Sequence, residues 1–434
     1  FDGSQGDRFG CAISAQGERV LIGASDDDGP VPGGSAYVFE RDANGTWIEI
    51  EKISPSGGSF DDLFGAAVSL HGDRALIGAP FEMDSGPNWG AAHVYERATS
   101  GQWNEVSQLG GNDDDVFGVA VSLFGDHALV GAPKHDHAGL ANAGQAYLFE
   151  RDQGGSWNLL AQLRASDDHS SLRLGVAVSL YGARALVGAE EEAAYLFEED
   201  AGGVWIEVAR LVPAGGALDF GNAVALCGDR ALVGASFDTH SGIGQAGSAF
   251  VYERGSNGAW SQTAKLTAGD ATLADNFGRS VALYGARAVI GASGDDGAHG
   301  LGSAYVFERN SDGTWLQVTK LVASDPQQTA LLGSAAALSG NLALVTDDYA
   351  QTPNGGHAGA AFAYDLAPGS TYCQSTTNST GTRAILGAVG SASLAQNRLT
   401  LVAAPVPKVA SGIFFFGPNQ VNEAFGNGTR CVGG

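Results

Sequence analysis

The stretch from Phe64 to Leu109 recurs, with variation, along most of this chain, and that recurrence limits the fold more than any other feature. It opens on a Phe-Gly pair and continues as an alternating apolar run, Ala67 to Leu70. A tight Gly72-Asp73 turn leads to a second apolar run that closes on Gly78-Ala79. A loop follows, then an aromatic strand with His93 and Tyr95, then a strand from Trp103 to Leu109. Apolar residues alternate with a period of two, and Gly, Asn and Asp punctuate the breaks, so the unit reads as four short strands. One unit cannot bury its own faces, so a regular array of them predicts a closed or stacked architecture.

The start recurs at Phe9-Gly10, Phe64-Gly65, Phe117-Gly118, Leu174-Gly175, Phe220-Gly221, Phe277-Gly278 and Leu332-Gly333. The closing glycine recurs at Gly23, Gly78, Gly131, Gly188, Gly234 and Gly291, and decays to Thr346-Asp347 in the last copy. The tryptophan of the fourth strand recurs at Trp47, Trp103, Trp157, Trp205, Trp260 and Trp315, each with Leu or Ile six residues later. Starts spaced by about 55 residues, with four strands apiece, predict an all-β fold: a seven-bladed β-propeller over residues 1–366. The tryptophans are expected to be buried on the outer strands against the adjacent blade.

These repeats resemble FG-GAP repeats, the unit of the integrin α-subunit propeller and of many secreted bacterial proteins. The resemblance covers about residues 1–366 and implies an extracellular or cell-surface role. Calcium-binding members carry an acidic DxDxDG-type loop between the first and second strands. Here that position holds HGDR, FGDH, YGAR, CGDR or SGNL, turns with too few oxygen ligands for calcium. The family's metal sites are therefore not carried over.

Charge is placed with the same period. The third strand ends at Glu40, Glu96, Glu150, Glu198, Glu253, Glu308 and Asp365; the second begins at Arg19, Arg74, His127, Arg184, Arg230, Arg287 and Leu342. In an antiparallel blade these positions face each other, which predicts cross-strand ion pairs. The remaining acids concentrate in the loops between strands two and three and in the loops between blades, which propeller geometry puts on one face. The candidate ligand- or cation-binding face is Asp26, Asp27, Asp28, Asp113, Asp114, Asp115, Glu190, Glu191, Glu192, Asp295 and Asp296. Oxygen-rich loops of this kind can hold Ca2+ loosely. Asp7, Asp62, Asp115 and Asp275 each sit two residues before a Phe, where the side chain can bond the turn backbone. His135 and His137 form the one His-x-His pair and are the weak transition-metal candidates.

The last copy ends without a tryptophan strand, running from Tyr364 into Ala367-Pro368-Gly369. In most copies Trp precedes the next Phe-Gly by seventeen residues, and counting that distance back from Phe9 falls before Phe1. The outer edge of blade seven is therefore expected to lack its usual partner. Residues upstream, the C-terminal region or a neighbouring molecule are the candidates to fill it, the last giving self-association. Residues 367–434 are rich in Gly, Ser, Thr and Asn, with strand-like runs at Arg383–Val389, Arg398–Ala403 and Ile413–Phe416, and read as a small separate β module. Cys373 and Cys431 bracket it and are a candidate disulfide. Cys11 and Cys227 fall in blades one and five, too far apart to pair, and are expected as buried free thiols.

A formal charge of −25 over 434 residues argues against nucleic acid, which needs a basic face. No long apolar run suggests a membrane span. No charged-then-apolar leader opens the sequence, so an export signal is expected to be removed or to lie outside it. No GxSxG, CxxC or HExxH motif appears, and the innermost strands (AVSL, AVAL, SVAL) carry no inward acid. The leading expectation is a secreted, non-enzymatic binding or structural module, contacting protein or glycan at a cell surface in adhesion, assembly or scaffolding. A carbohydrate-active propeller enzyme and a calcium-dependent adhesin are the alternatives.

Overall fold

The computed structural model describes residues 6–366 apart from short loop segments (29–32, 56–58, 60, 83–89, 112–114, 191–192, 296–300, 324–330 and 352–356). Beyond 366 it describes only the backbone of five strands within 371–433. Among these residues there is no helix. Blade one is typical. Strands Phe9–Gln16, Arg19–Ala24, Ser35–Arg41 and Trp47–Ile53 pair antiparallel in sequence order. Five further four-stranded sheets repeat this order, and a seventh contains Ala336–Ser339, Leu342–Asp347 and Ala360–Asp365. The molecule is a seven-bladed β-propeller with the Phe-Gly strands innermost.

The repeated glycines are explained by how closely blades approach. Gly78 of blade two lies against the backbone of Gly118 of blade three, and a Cβ there would overlap the Gly118 carbonyl. Gly118 itself has φ +92 and faces the Ala91 carbonyl. Only glycine meets both demands. The same pair recurs from Gly23 with Gly65 through Gly291 with Gly333. The residue ahead of each start adopts a left-handed conformation as the chain turns inward, at Arg8, Leu63, Val116, Arg173, Asp219 and Asn276. For a β-branched side chain such as Val116 that conformation costs about 1–3 kcal/mol, offset by the packing around it.

The core lies between blades rather than within them. Phe117, for example, packs edge-on against Tyr147 at 5.3 Å in a cluster that also takes Leu76 and Val94 of blade two and Trp157 of blade three. Trp103, Trp157, Trp205 and Trp315 are buried on the outer strands, each in the interface with the preceding blade. Trp47 and Trp260 occupy the same position but are half-buried. The innermost strands, which have one hydrogen-bonding edge free, are tied by serine. Ser14, Ser69, Ser122 and Ser179 Oγ accept from the backbone N–H of Leu70, Leu123, Leu180 and Leu226 of the next blade, at 2.9–3.0 Å.

The ring closes between blades seven and one. Phe9 N donates to Ala358 O at 3.0 Å, as Phe64 N donates to Gly33 O at the next junction. Thr346 stands where the other blades have glycine, and its hydroxyl donates to Gly10 O at 2.6 Å. Arg8 meets Asp348 at 2.8 Å. In the C-terminal region Thr371–Thr377, Arg383–Val389 and Thr400–Ala404 form one sheet, and Gln420–Phe425 pairs with Gly428–Gly433. The expected run at 413–416 and the side chains of Cys373 and Cys431 lie outside what is described. Cys11 and Cys227 are free, and they are partly rather than fully buried.

Candidate binding face

Two surfaces of the disc differ in chemistry. On the turn face, the links between strands one and two are two-residue turns led by glycine at φ +57 to +62, as at Gly17, Gly72 and Gly182. The sequence predicts cross-strand pairs here, and the registers match: Arg19 faces Glu40, Arg74 faces Glu96, and Leu342 faces Asp365. Arg74 Nε lies 3.1 Å from Glu96 and Arg184 Nε 3.0 Å from Glu198.

These arginines do more than pair within their blade. Arg19 Nη1 donates to Gly72 O at 2.8 Å, Arg74 to Gly125 O at 2.9 Å and Arg230 to Gly285 O at 2.9 Å, each in the turn of the next blade. A second arginine reaches back from the next blade. Arg97 lies 3.4 Å from Glu40, Arg151 2.8 Å from Glu96, Arg254 2.9 Å from Glu198 and Arg309 2.6 Å from Glu253. Each glutamate is thus held between two guanidiniums from different blades. The sequence reading missed this clamp. Its signal was the second letter of the recurring Glu-Arg dipeptide.

On the loop face, the strand two–three loops and the interblade loops do share one rim. Parallel bridges join them at Gly34–Phe64, Gly144–Leu174, Gly247–Phe277 and Gly302–Leu332. The structure divides the candidate acids. Asp27, Asp115 and Asp295 are buried, while Asp26 and Asp28 are exposed and Glu190 is half-buried. Asp113, Asp114, Glu191, Glu192 and Asp296 lie outside the described residues.

The buried acids are engaged from inside. Asp27 takes Tyr37 Oη and Lys52 Nζ, both at 2.7 Å. Asp238 takes Lys265 at 2.7 Å and Ser248 at 2.6 Å. Asp295 takes Lys320 at 2.6 Å and Tyr305 at 2.8 Å, and Asp270 takes the same two groups. Burial alone would lift the Asp295 carboxyl, but Lys320 and Ser303 hold it below its usual range. Glu190 is paired with Arg173. Around Asp27 and Asp295 the carboxylates thus serve an internal network of loop acid, third-strand tyrosine and fourth-strand lysine; Asp238 keeps the lysine but takes Ser248 in place of a tyrosine. Asp62 and Asp275 do bond the turn backbone, accepting from Ser59 N and Thr272 N at 2.6 Å. Asp115 accepts from Tyr147 and faces His135.

Blade two varies the network. His93 replaces the tyrosine and lies between Glu82 at 2.6 Å and Glu105 at 2.9 Å. Burial pushes the imidazole down, but the two carboxylates win and raise it to about 9, so it is charged at neutral pH. In blade three, His135 and His137 stack at 5.7 Å, with ring planes 18° apart. They turn to separate carboxylates, His135 to Asp115 at 2.9 Å and His137 to Asp168 at 2.7 Å. No group of three or more His, Cys, Asp or Glu side chains with metal-binding geometry occurs among the described residues.

A ring of seven radial β-sheets defines the chain as a β-propeller. The FG-GAP repeat profile matches residues 1–39, 47–95, 103–149, 205–252, 260–307 and 315–364, and the chain belongs to the FG-GAP repeat family. The blade without a match is the fourth. It begins with Leu174 in place of Phe, and its strand two–three loop is cut to Glu190–Glu192. A comparison with curated proteins found no match. A solved protein from Lactobacillus plantarum is similar in structure. It has 14% sequence identity and a TM-score of 0.50, with 75% of this chain and 85% of that chain covered, which speaks to the fold alone. No helix among the described residues is long and apolar enough to cross a membrane.

Proposed function

We propose that the chain is a non-enzymatic extracellular module that presents its loop face to a protein or glycan at a cell surface, in adhesion, assembly or scaffolding. The observation that carries this reading is the double-arginine clamp, repeated at four junctions, which makes the disc a stiff support for loops. The exposed carboxylates of the loop face (Asp26, Asp28, Asp61 and Asp136) supply a negative surface suited to a basic partner.

The test is a binding screen of the whole chain against cell-surface proteins and glycans at low and high salt, with and without a calcium chelator. The expected result is salt-weakened, chelator-insensitive binding that Asp26→Asn, Asp28→Asn, Asp61→Asn and Asp136→Asn together reduce by about tenfold or more. Chelator-sensitive binding would favour the calcium-dependent adhesin. Turnover in a glycan-hydrolysis screen would favour the enzyme.

A further inference from the structure

The last residue of each innermost strand stands at the mouth of the central channel on the turn face, where no further strand covers it. In three blades this residue is polar and serves the turn of the next blade. Gln16 Oε1 accepts from Gly72 N, Cys227 Sγ from Gly285 N at 3.4 Å, and Ser339 Oγ from Gly17 N at 2.8 Å. In blades two, three and four the same position holds an aromatic ring: His71, Phe124 and Tyr181. The rings form an arc. His71 and Phe124 lie 4.7 Å apart with planes at 46°, and Phe124 and Tyr181 lie 5.0 Å apart at 44°. Packing between blades would account for them if they closed over one another. They do not: His71 and Phe124 are half-buried, and Tyr181 is 39% exposed.

The polar groups around the arc narrow what it can take. The turns beside it carry Asp73, Asp126 and, one blade on, Asp229, with side chains 69%, 60% and 65% exposed. Each is met by an arginine of the preceding blade, Arg19 at 3.1 Å, Arg74 at 2.9 Å and Arg184 at 3.0 Å. The rim therefore offers strong hydrogen-bonding groups whose charges are balanced in pairs. Burial, and then Arg74, hold the His71 imidazole below its ordinary value, so that ring is uncharged at neutral pH. A polyanion would be repelled by a chain of net charge −25. A cation would find the carboxylates already paired. Apolar ring faces bordered by charge-balanced acceptors suit a neutral ligand that is apolar on one face and rich in hydroxyls at its edge.

We propose that the arc His71–Phe124–Tyr181 is a binding platform for a neutral carbohydrate chain at the turn-face mouth of the channel. The C–H faces of successive sugar rings lie on Phe124 and Tyr181, and the ring hydroxyls donate to the exposed carboxylates of Asp73 and Asp126. Three rings in series favour an extended glycan over a single terminal sugar. The aromatic faces supply affinity, and the turn carboxylates, fixed by their arginines, supply orientation. The site lies on the face opposite the loop face and uses none of Asp26, Asp28, Asp61 and Asp136, so it stands apart from the function proposed above.

The test runs the 434-residue chain through native gels containing neutral polysaccharides (β-glucan, xylan, galactomannan) or anionic ones (alginate, pectate). Calorimetry with the matching neutral hexasaccharide then gives Kd. The expected result is retardation by at least one neutral polysaccharide and by neither anionic one. Tyr181→Ala and Phe124→Ala should each weaken Kd about tenfold or more, and Tyr181→Phe, which keeps the ring, by no more than about threefold. Tyr181 is exposed, so its truncation should leave the thermal melt unchanged, which separates lost binding from lost folding. The variant with all four loop-face Asp→Asn substitutions should bind the hexasaccharide as the parent does, so the two readings fail separately. No retardation by any neutral polysaccharide, retardation by the anionic ones, or binding unchanged in Tyr181→Ala would overturn the proposal. So would a Tyr181→Phe variant as weak as Tyr181→Ala, because the ring face would then not carry the contact.

Discussion

The Arg19 guanidinium lies 5.6 Å from the centre of the Trp103 ring, across the boundary between blades one and two. The arginine is fixed from both sides, by Glu40 in its own blade and by Gly72 O in the next. The ring fills the space beneath, so ion pair, backbone bond and aromatic contact share one junction.

Removing the clamp arginine should therefore cost more than an isolated surface pair. Arg74→Ala strands Glu96 with Arg151 alone and frees Gly125 O. Its expected destabilisation is about 1–3 kcal/mol, against about 0–1 for exposed pairs. A double-mutant cycle of Arg74→Ala with Arg151→Ala by chemical denaturation should show coupling through Glu96. Strict additivity would refute the shared role.

Trp103 is buried, and its indole N–H makes no hydrogen bond. Trp103→Ala is expected to cost about 3–5 kcal/mol by cavity formation. Trp103→Phe should cost clearly less, since only ring area is lost. Thermal melts of the two variants give the comparison, and equal losses would point to a polar role for the indole.

Protonated His93 contributes stability through Glu82 and Glu105. Its folded value of about 9 lies above the ordinary 6.5. The contribution is therefore complete below about pH 6.5 and is lost as pH rises through about 9. His93→Gln should be less stable than the parent by a few kcal/mol at pH 6, on the order of the shift at about 1.4 kcal/mol per unit. The gap should narrow toward pH 9.5. A gap independent of pH would mean that His93 is buried neutral.

Gly131→Ala places a methyl group into the Gly175 carbonyl of the next blade. A loss of about 2 kcal/mol or more is expected in denaturant titration, because backbone rather than a flexible side chain must move. Gly125→Ala, on an open turn at φ +61 with nothing near its Cβ, should cost only the strain of that conformation, about 1–2 kcal/mol.

The architecture was legible because most copies state the same constraints: Phe-Gly beside Gly-Ala, then Trp six residues ahead of Leu or Ile. The Arg74–Glu96 pairing followed from hairpin register alone. What Arg74 does beyond its blade did not follow, since Gly125 is 51 residues away and is brought near only by ring closure. The acidic loops misled for the same reason. Asp27 and Asp295 look like free surface charge in the sequence, but Lys52 and Lys320 point back at them from strands ending a loop later. Trp47 shows the limit of repetition. It matches the other copies in sequence but meets Leu342 and Leu344 at the seam, and it stays half-buried.

Leu342 gives that seam a mechanical meaning. Tension applied around the circumference of the disc is carried at four junctions by charged straps such as Arg19–Glu40–Arg97. At the closure, where leucine replaces arginine, it falls on the Thr346–Gly10 bond, the Arg8–Asp348 pair and apolar contact. Apolar contact yields under shear more readily than a forked ion pair. A pulling force should open this ring as a clasp opens, at a junction without a strap, leaving the strapped blades joined.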